Sequence, residues 1–177
     1  MTASETKAMK FGIYTIGEMA RILRLPTNTV RRWLSAFDNM DWPKGSHYSV
    51  NLEGVRVADF HTLLEFYVMA VLVEVGVRTS EVIEAHHHLS QLYSTQHPFV
   101  QQSVLESIRT DGKKIHWEKD QILLTLDGSQ QLNLQLIRVF FKKLNFDNKG
   151  KVRLFWPMGT EKAILMDPER RFGQPSH

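Results

Sequence analysis

The side chains best suited to chemistry sit just after Pro26. Asn28, Thr29, Arg31, Arg32 and Ser35 crowd donors and acceptors into one short stretch, with Thr27 ahead of them. Arginine can pair bidentately with the major-groove edge of guanine, and asparagine with that of adenine. Arg21 and Arg24, just before the proline, are cations of the kind that grip phosphate, a contact that positions a protein without reading sequence. Lys44, His47 and Tyr48 lie farther on, in a polar stretch where they can touch phosphate or minor groove.

Two short helices must carry the first of these groups. Thr15 with Glu18 three residues later forms a capping box, and Ile16, Met19, Ala20 and Leu23 follow at helical spacing. Pro26 disfavours helical geometry in the residue before it, so this helix stops near Leu25. Thr27 can cap a second helix over residues 28–36, whose apolar positions Val30, Trp33, Leu34 and Phe37 leave the polar set on the opposite face. Two short helices around a Leu-Pro-Thr turn read as a helix-turn-helix, in which the start of the second helix enters the major groove. An amphipathic hairpin used only for packing would show the same apolar spacing. The cap, the proline and the basic polar face together favour DNA.

Charge agrees in its distribution more than in its total. The formal net charge is only +3, from 22 Lys and Arg against 19 Asp and Glu. Residues 1–36 hold six cations against two acids, whereas residues 61–110 hold two against five. A basic leading segment is the footprint of a phosphate-binding face.

Residues 39–54 read as a loop with strand signal at 47–52, suited to a wing hairpin. Asp59 can cap a third helix over 60–75, apolar nearly all round and therefore buried on several sides. Gly76 ends it, and a fourth helix runs from Thr79 or Ser80 to about Tyr93. His97-Pro98 breaks the chain. Strands are then expected at 105–109, 114–117, 122–126, 152–156 and 163–166, with a helix over 132–144. The fold class is α+β. Residues 1–10 form a disordered arm, 11–93 a helical winged part, and 97–177 an α+β domain for dimerisation or partner binding.

Several chemistries are not supported. His86, His87 and His88 point about 100° apart on a helix and cannot converge on one metal. With no cysteine there is no thiolate site and no disulfide framework. Phosphate-loop, zinc-protease and nucleophile-elbow motifs are all missing. Neither enzyme activity, metal nor cofactor is expected. The longest apolar run, at 66–73, is too short to span a bilayer, and the start carries no apolar signal core, so a cytoplasmic location without membrane association is expected.

Y-T-I-G-E-M-A-R-I-L-R-L-P-T-N-T-V-R-R-W-L, from Tyr14 to Leu34, resembles the winged helix-turn-helix of the MerR family of bacterial regulators, and the likeness extends over about 11–93. The C-terminal half lacks the long dimerisation helix of that family. It resembles bacterial antitoxin-like proteins through H-P-F, R-T-D-G-K, L-N-F-D-N-K-G, W-P-M-G and D-P-E-R-R-F-G-Q-P. Those proteins are often encoded beside a PIN-like toxin. The resemblance implies an autoregulating, DNA-binding antitoxin, expected to act as a homodimer on double-stranded DNA. Two alternatives stand beside it. One is an interaction module that inhibits a toxin, with DNA binding secondary. The other is a phage excisionase-like architectural protein, a class usually much shorter.

Overall fold

The computed structural model describes residues 12–40, 42, 47–74, 76–106, 108–110, 114–117, 122–125, 144–150 and 152–155. The expected arm at 1–10, Lys44, most of the helix at 132–144 and the strand at 163–166 lie outside them. The fold is α+β. Its order is β1 (Ile13–Thr15), α1 (Ile16–Leu23), α2 (Thr27–Asp38), β2 (Val50–Leu52), β3 (Val55–Asp59), α3 (Phe60–Glu74) and α4 (Thr79–Leu92). A 3-10 turn (Pro98–Val100) and a short helix α5 (Gln102–Glu106) follow. Then come β4 (Ile108–Thr110), β5 (Lys114–Trp117), β6 (Ile122–Thr125), β7 (Leu144–Phe146) and β8 (Val152–Phe155).

The capping box at the head of α1 is formed. Glu18 N–H donates to the Thr15 hydroxyl at 3.2 Å, and Thr15 N–H donates to the Glu18 carboxylate at 3.0 Å. Both amides belong to a helix start that has no intrahelical acceptor for them. Thr15→Ala is expected to cost ~0.5–2 kcal/mol in a urea melt; an unchanged midpoint would show that the cap is redundant. Arg24 closes α1 in the left-handed region at φ 56°, and Leu25 N–H returns to the Ala20 carbonyl at 2.9 Å.

Helix α2 begins one residue earlier than its sequence suggests. Pro26, not Thr27, is the N-cap, and no side chain caps the first turn. The proline ring pre-sets the backbone at φ −60°, so no hydroxyl is needed to bend the chain into the helix. Val30, Trp33, Leu34 and Phe37 bury as expected, and Trp33 meets Phe66 of α3 edge-on with centroids 5.5 Å apart.

The strand signal at 47–52 resolves into a hairpin. β2 and β3 pair antiparallel with Val50 opposite Val57 and Leu52 opposite Val55. The two-residue turn has Glu53 at φ 51° and Gly54 at φ 84°. That is the left-handed pair whose twist matches flanking strands. Strand β1, which sequence periodicity does not reveal, adds to the far side of β3, giving the order β1-β3-β2.

Helix α3 is capped by Asp59, whose Oδ1 accepts Thr62 N–H at 2.9 Å. It threads the core, with Phe60, Leu63, Leu64, Phe66 and Met69 fully buried. The core does not end with α4. Phe99, Val100, Val104, Leu105 and Leu144 join the same cluster of buried side chains. Leu105 is therefore helical within α5 rather than the start of a strand, because it packs inward beside Val104. Leu144 opens β7 rather than ending a helix. The remaining strands form an antiparallel β4-β5-β6 sheet and a β7-β8 pair. No helix among the described residues is long and apolar enough to cross a membrane.

Candidate nucleic-acid interface and a buried carboxylate–histidine cluster

The basic set predicted from sequence is largely on the surface. Thr27, Asn28, Arg31 and Arg32 of α2 are exposed, as are Arg21 of α1 and Arg24 at its end; Thr29 and Ser35 are half-buried. Arg31 Nη1 donates to Asn28 Oδ1 at 3.0 Å, one turn back along the helix. That bond occupies the Asn28 oxygen and leaves its amide hydrogens facing solvent. Arg24 and Arg32 line the same groove, together with Glu74 of α3. Among the described residues none of Arg21, Arg24, Arg31 or Arg32 is ion-paired to a carboxylate. The first turn of α2 contains no acidic residue. The positive end of its helix dipole is therefore uncompensated, which favours an approaching anion.

The hairpin contributes less than its sequence suggests. His47 is exposed, but Tyr48 is not a surface group. Its relative exposure is 1%, its ring stacks on Phe37 at 4.6 Å, and its hydroxyl points into the core. It cannot touch phosphate or minor groove. The reason lies in the backbone. Tyr48 N–H and Ser49 N–H both donate to Asp38 Oδ1 at 3.0 Å, which ties this segment to the end of α2 and turns the ring inward. Arg56, the hairpin's own cation, is committed as well. Its Nη2 lies 2.6 Å from Asp38 Oδ2, and its Nη1 donates to the Ser35 hydroxyl at 3.2 Å.

Beneath this surface lies a cluster that motif reading missed. Glu65 sits in the middle of α3 with no exposed surface. Its Oε1 accepts the Tyr48 hydroxyl and His97 Nδ1, the latter at 2.6 Å. Its Oε2 accepts His86 Nε2 at 2.6 Å and Phe99 N–H at 3.1 Å. A carboxylate offers about four lone-pair sites, and here four donors meet them. The Tyr48 oxygen is also 2.5 Å from His86 Nε2 and 2.7 Å from the Gln96 carbonyl oxygen. The hydrogen-bond network therefore places a hydrogen on Nε2 of His86 and on Nδ1 of His97.

Electrostatics follow the geometry. Burial by itself would push the Glu65 carboxyl upward. The charge and hydrogen bonds of His86 and His97 outweigh that and hold it down at about 2. Tyr48 is pushed well above its ordinary value, first by burial and then by the Glu65 charge, so its phenol stays a donor. Among the described residues His97 Nε2 has no hydrogen-bond partner, and it lies 4.0 Å from Asp59 Oδ2. The run His86-His87-His88 splits as helix geometry requires: buried, half-buried and exposed. Among the described residues no group of acidic or histidine side chains is arranged to hold a metal ion.

No family model and no curated protein matches this chain. A solved structure does. The fold is similar to the crystal structure of Rv2018 from Mycobacterium tuberculosis, with a TM-score of 0.58 and 18% identity over 92% of this chain and 78% of that one. At that identity the likeness concerns the fold alone. It extends well past α4, in keeping with a core that continues through Phe99 and Leu105.

One signal for the buried cluster was legible. A glutamate in the middle of a largely apolar helix must find donors, because an ionised carboxylate is very costly to bury alone. Which donors it finds depends on chain packing: His86 is 21 residues away and His97 is 32.

Proposed function

We propose that this chain is a sequence-specific transcriptional regulator that binds double-stranded DNA through a winged helix-turn-helix. Helix α2 is the reading helix, and the β2-β3 hairpin is its wing. One observation carries the reading. Four arginines on and beside two consecutive helices are exposed and, among the described residues, form no ion pair, while the nearby hairpin arginine is internally paired. An unpaired set beside a helix start that no side chain caps suits a polyanion.

In this reading Arg31, Arg32 and Asn28 face base edges and nearby phosphates, and Arg21 and Arg24 hold the backbone. The wing acts as a brace, since Arg56 is paired with Asp38, Tyr48 is buried, and His47 is exposed among the described residues expected to contact DNA there. One reading helix covers little duplex. A homodimer binding paired half-sites is the natural complement, with the 97–177 part as the dimerisation or partner-binding element. The antitoxin role, with a PIN-like toxin as partner, rests on the motif resemblance of that part.

Fluorescence anisotropy tests the DNA reading. Affinity for duplex should fall linearly with salt on logarithmic axes, by about 0.9 per phosphate neutralised. A mixed-sequence duplex should bind better than its single strands. Salt-independent binding, or equal binding of single strands, would exclude this mode.

A further inference from the structure

We propose that the Glu65 cluster is a latch through which the 97–106 segment sets the position of the β2-β3 hairpin against the end of α2. The inference stands on hydrogen-bond geometry and does not depend on what α2 binds.

The network is continuous and joins side chains with backbone groups. From the C-terminal side, His97 Nδ1 and Phe99 N–H donate to Glu65, and the Gln96 carbonyl oxygen lies 2.7 Å from the Tyr48 hydroxyl. Tyr48 is the bridge. Its hydroxyl meets Glu65, while its backbone N–H donates to Asp38 at 3.0 Å. Asp38, the last residue of α2, in turn holds the Ser49 hydroxyl and Arg56 of β3. Arg56 also donates from Nε to the Ser49 hydroxyl oxygen at 2.9 Å. Thus the hairpin touches α2 through Asp38 and through the Arg56–Ser35 bond, and Asp38 reaches the 97–106 segment through Tyr48 and Glu65.

Withdrawal of that segment would strip Glu65 of two of its four donors inside the core. Buried acceptors do not tolerate that loss, so the carboxylate must re-pair or draw in water. Either response moves Tyr48, and with it the two amides that Asp38 grips. Asp59, at the far end of β3, lies 4.0 Å from His97 Nε2 and is a second point where the segment meets the hairpin strand. The segment is also joined onward, since Gln102 N–H donates to the Gly150 carbonyl at 2.8 Å in the turn between β7 and β8. A partner that grips the C-terminal part therefore has a physical route to the hairpin. By reciprocity, fixing the hairpin favours the docked segment.

Amide hydrogen exchange on the full chain without DNA tests this, using two variants that cut the latch from opposite sides. His97→Asn should speed exchange in Val50–Leu52 and Val55–Asp59 about tenfold or more, although residue 97 lies outside the hairpin. Tyr48→Phe keeps the ring stack and removes only the hydroxyl; it should speed exchange at residues 99–101. Val82→Ala, a buried α4 position outside the cluster, calibrates general destabilisation. The latch is supported if each cluster variant changes the opposite segment more than Val82→Ala does. It is overturned if each effect stays within its own segment, or if both match the Val82→Ala pattern. Duplex binding plays no part in the readout, so this result and the DNA reading can fail separately.

Discussion

Arg31→Ala combined with Arg32→Ala is expected to weaken duplex binding about a hundredfold or more while leaving the fold intact. An arginine that meets a base edge or a phosphate is worth ~1–3 kcal/mol, and a hundredfold is about 2.8 kcal/mol. Both side chains are exposed, and the one hydrogen bond lost, to Asn28, is itself at the surface. Stability should therefore shift by no more than about 0.5 kcal/mol. The salt slope should also fall, by about one for each phosphate contact removed. Lysine at both positions should restore much of the slope and less of the sequence preference, because an ammonium cannot form the two-pronged pairing of a guanidinium. An unchanged affinity with an unchanged slope would place the interface elsewhere.

The second large effect is on stability. Glu65→Gln keeps the shape but removes the charge, and it brings an NH2 group against donors that need an acceptor. Breaking one side of a buried ionic hydrogen-bonded set costs ~3–5 kcal/mol, enough to unfold many domains of ordinary stability. Urea denaturation with far-UV circular dichroism measures it. The pH dependence has a definite sign. The folded carboxyl is held at about 2, below its ordinary 4.5, so its contribution is present above 4.5 and is lost as pH falls through that range toward 2. The wild-type protein should lose stability steeply across this acid window, and the Glu65→Gln variant should show a shallower limb. A cost below about 1 kcal/mol with an unaltered acid limb would mean that the four contacts do not act together.

What the sequence makes legible is local. The α1 cap needed only Thr15 and Glu18, three positions apart, and the buried face of α2 needed only the spacing of Val30, Trp33, Leu34 and Phe37. The exposed cations of α1 and α2 followed from the same spacing. Tyr48 did not. A tyrosine in a Ser- and Gly-containing loop looks like a surface contact, and only its grip by Asp38, ten residues earlier, turns it inward. Strand β1 was hidden for a similar reason: three residues show no alternation, and their pairing partner lies beyond two helices. Leu105 was read as a strand residue because apolar runs of that length suit either state, and α5 exists through packing with the 3-10 turn. The glutamate in α3 carried a hint of its own, but its partners come from three other segments that only the tertiary fold assembles.

These results give the two halves of the chain distinct physical roles. The first presents cations to solvent on α1 and α2. The second feeds His97 and Phe99 into the core beneath them. Amide chemical-shift mapping with a duplex carrying a selected site measures the central assignment directly. The largest changes should fall on Arg21, Arg24, Asn28, Arg31 and Arg32, with smaller ones at His47. If those amides stay still while changes gather on another surface, α2 is not the reading helix.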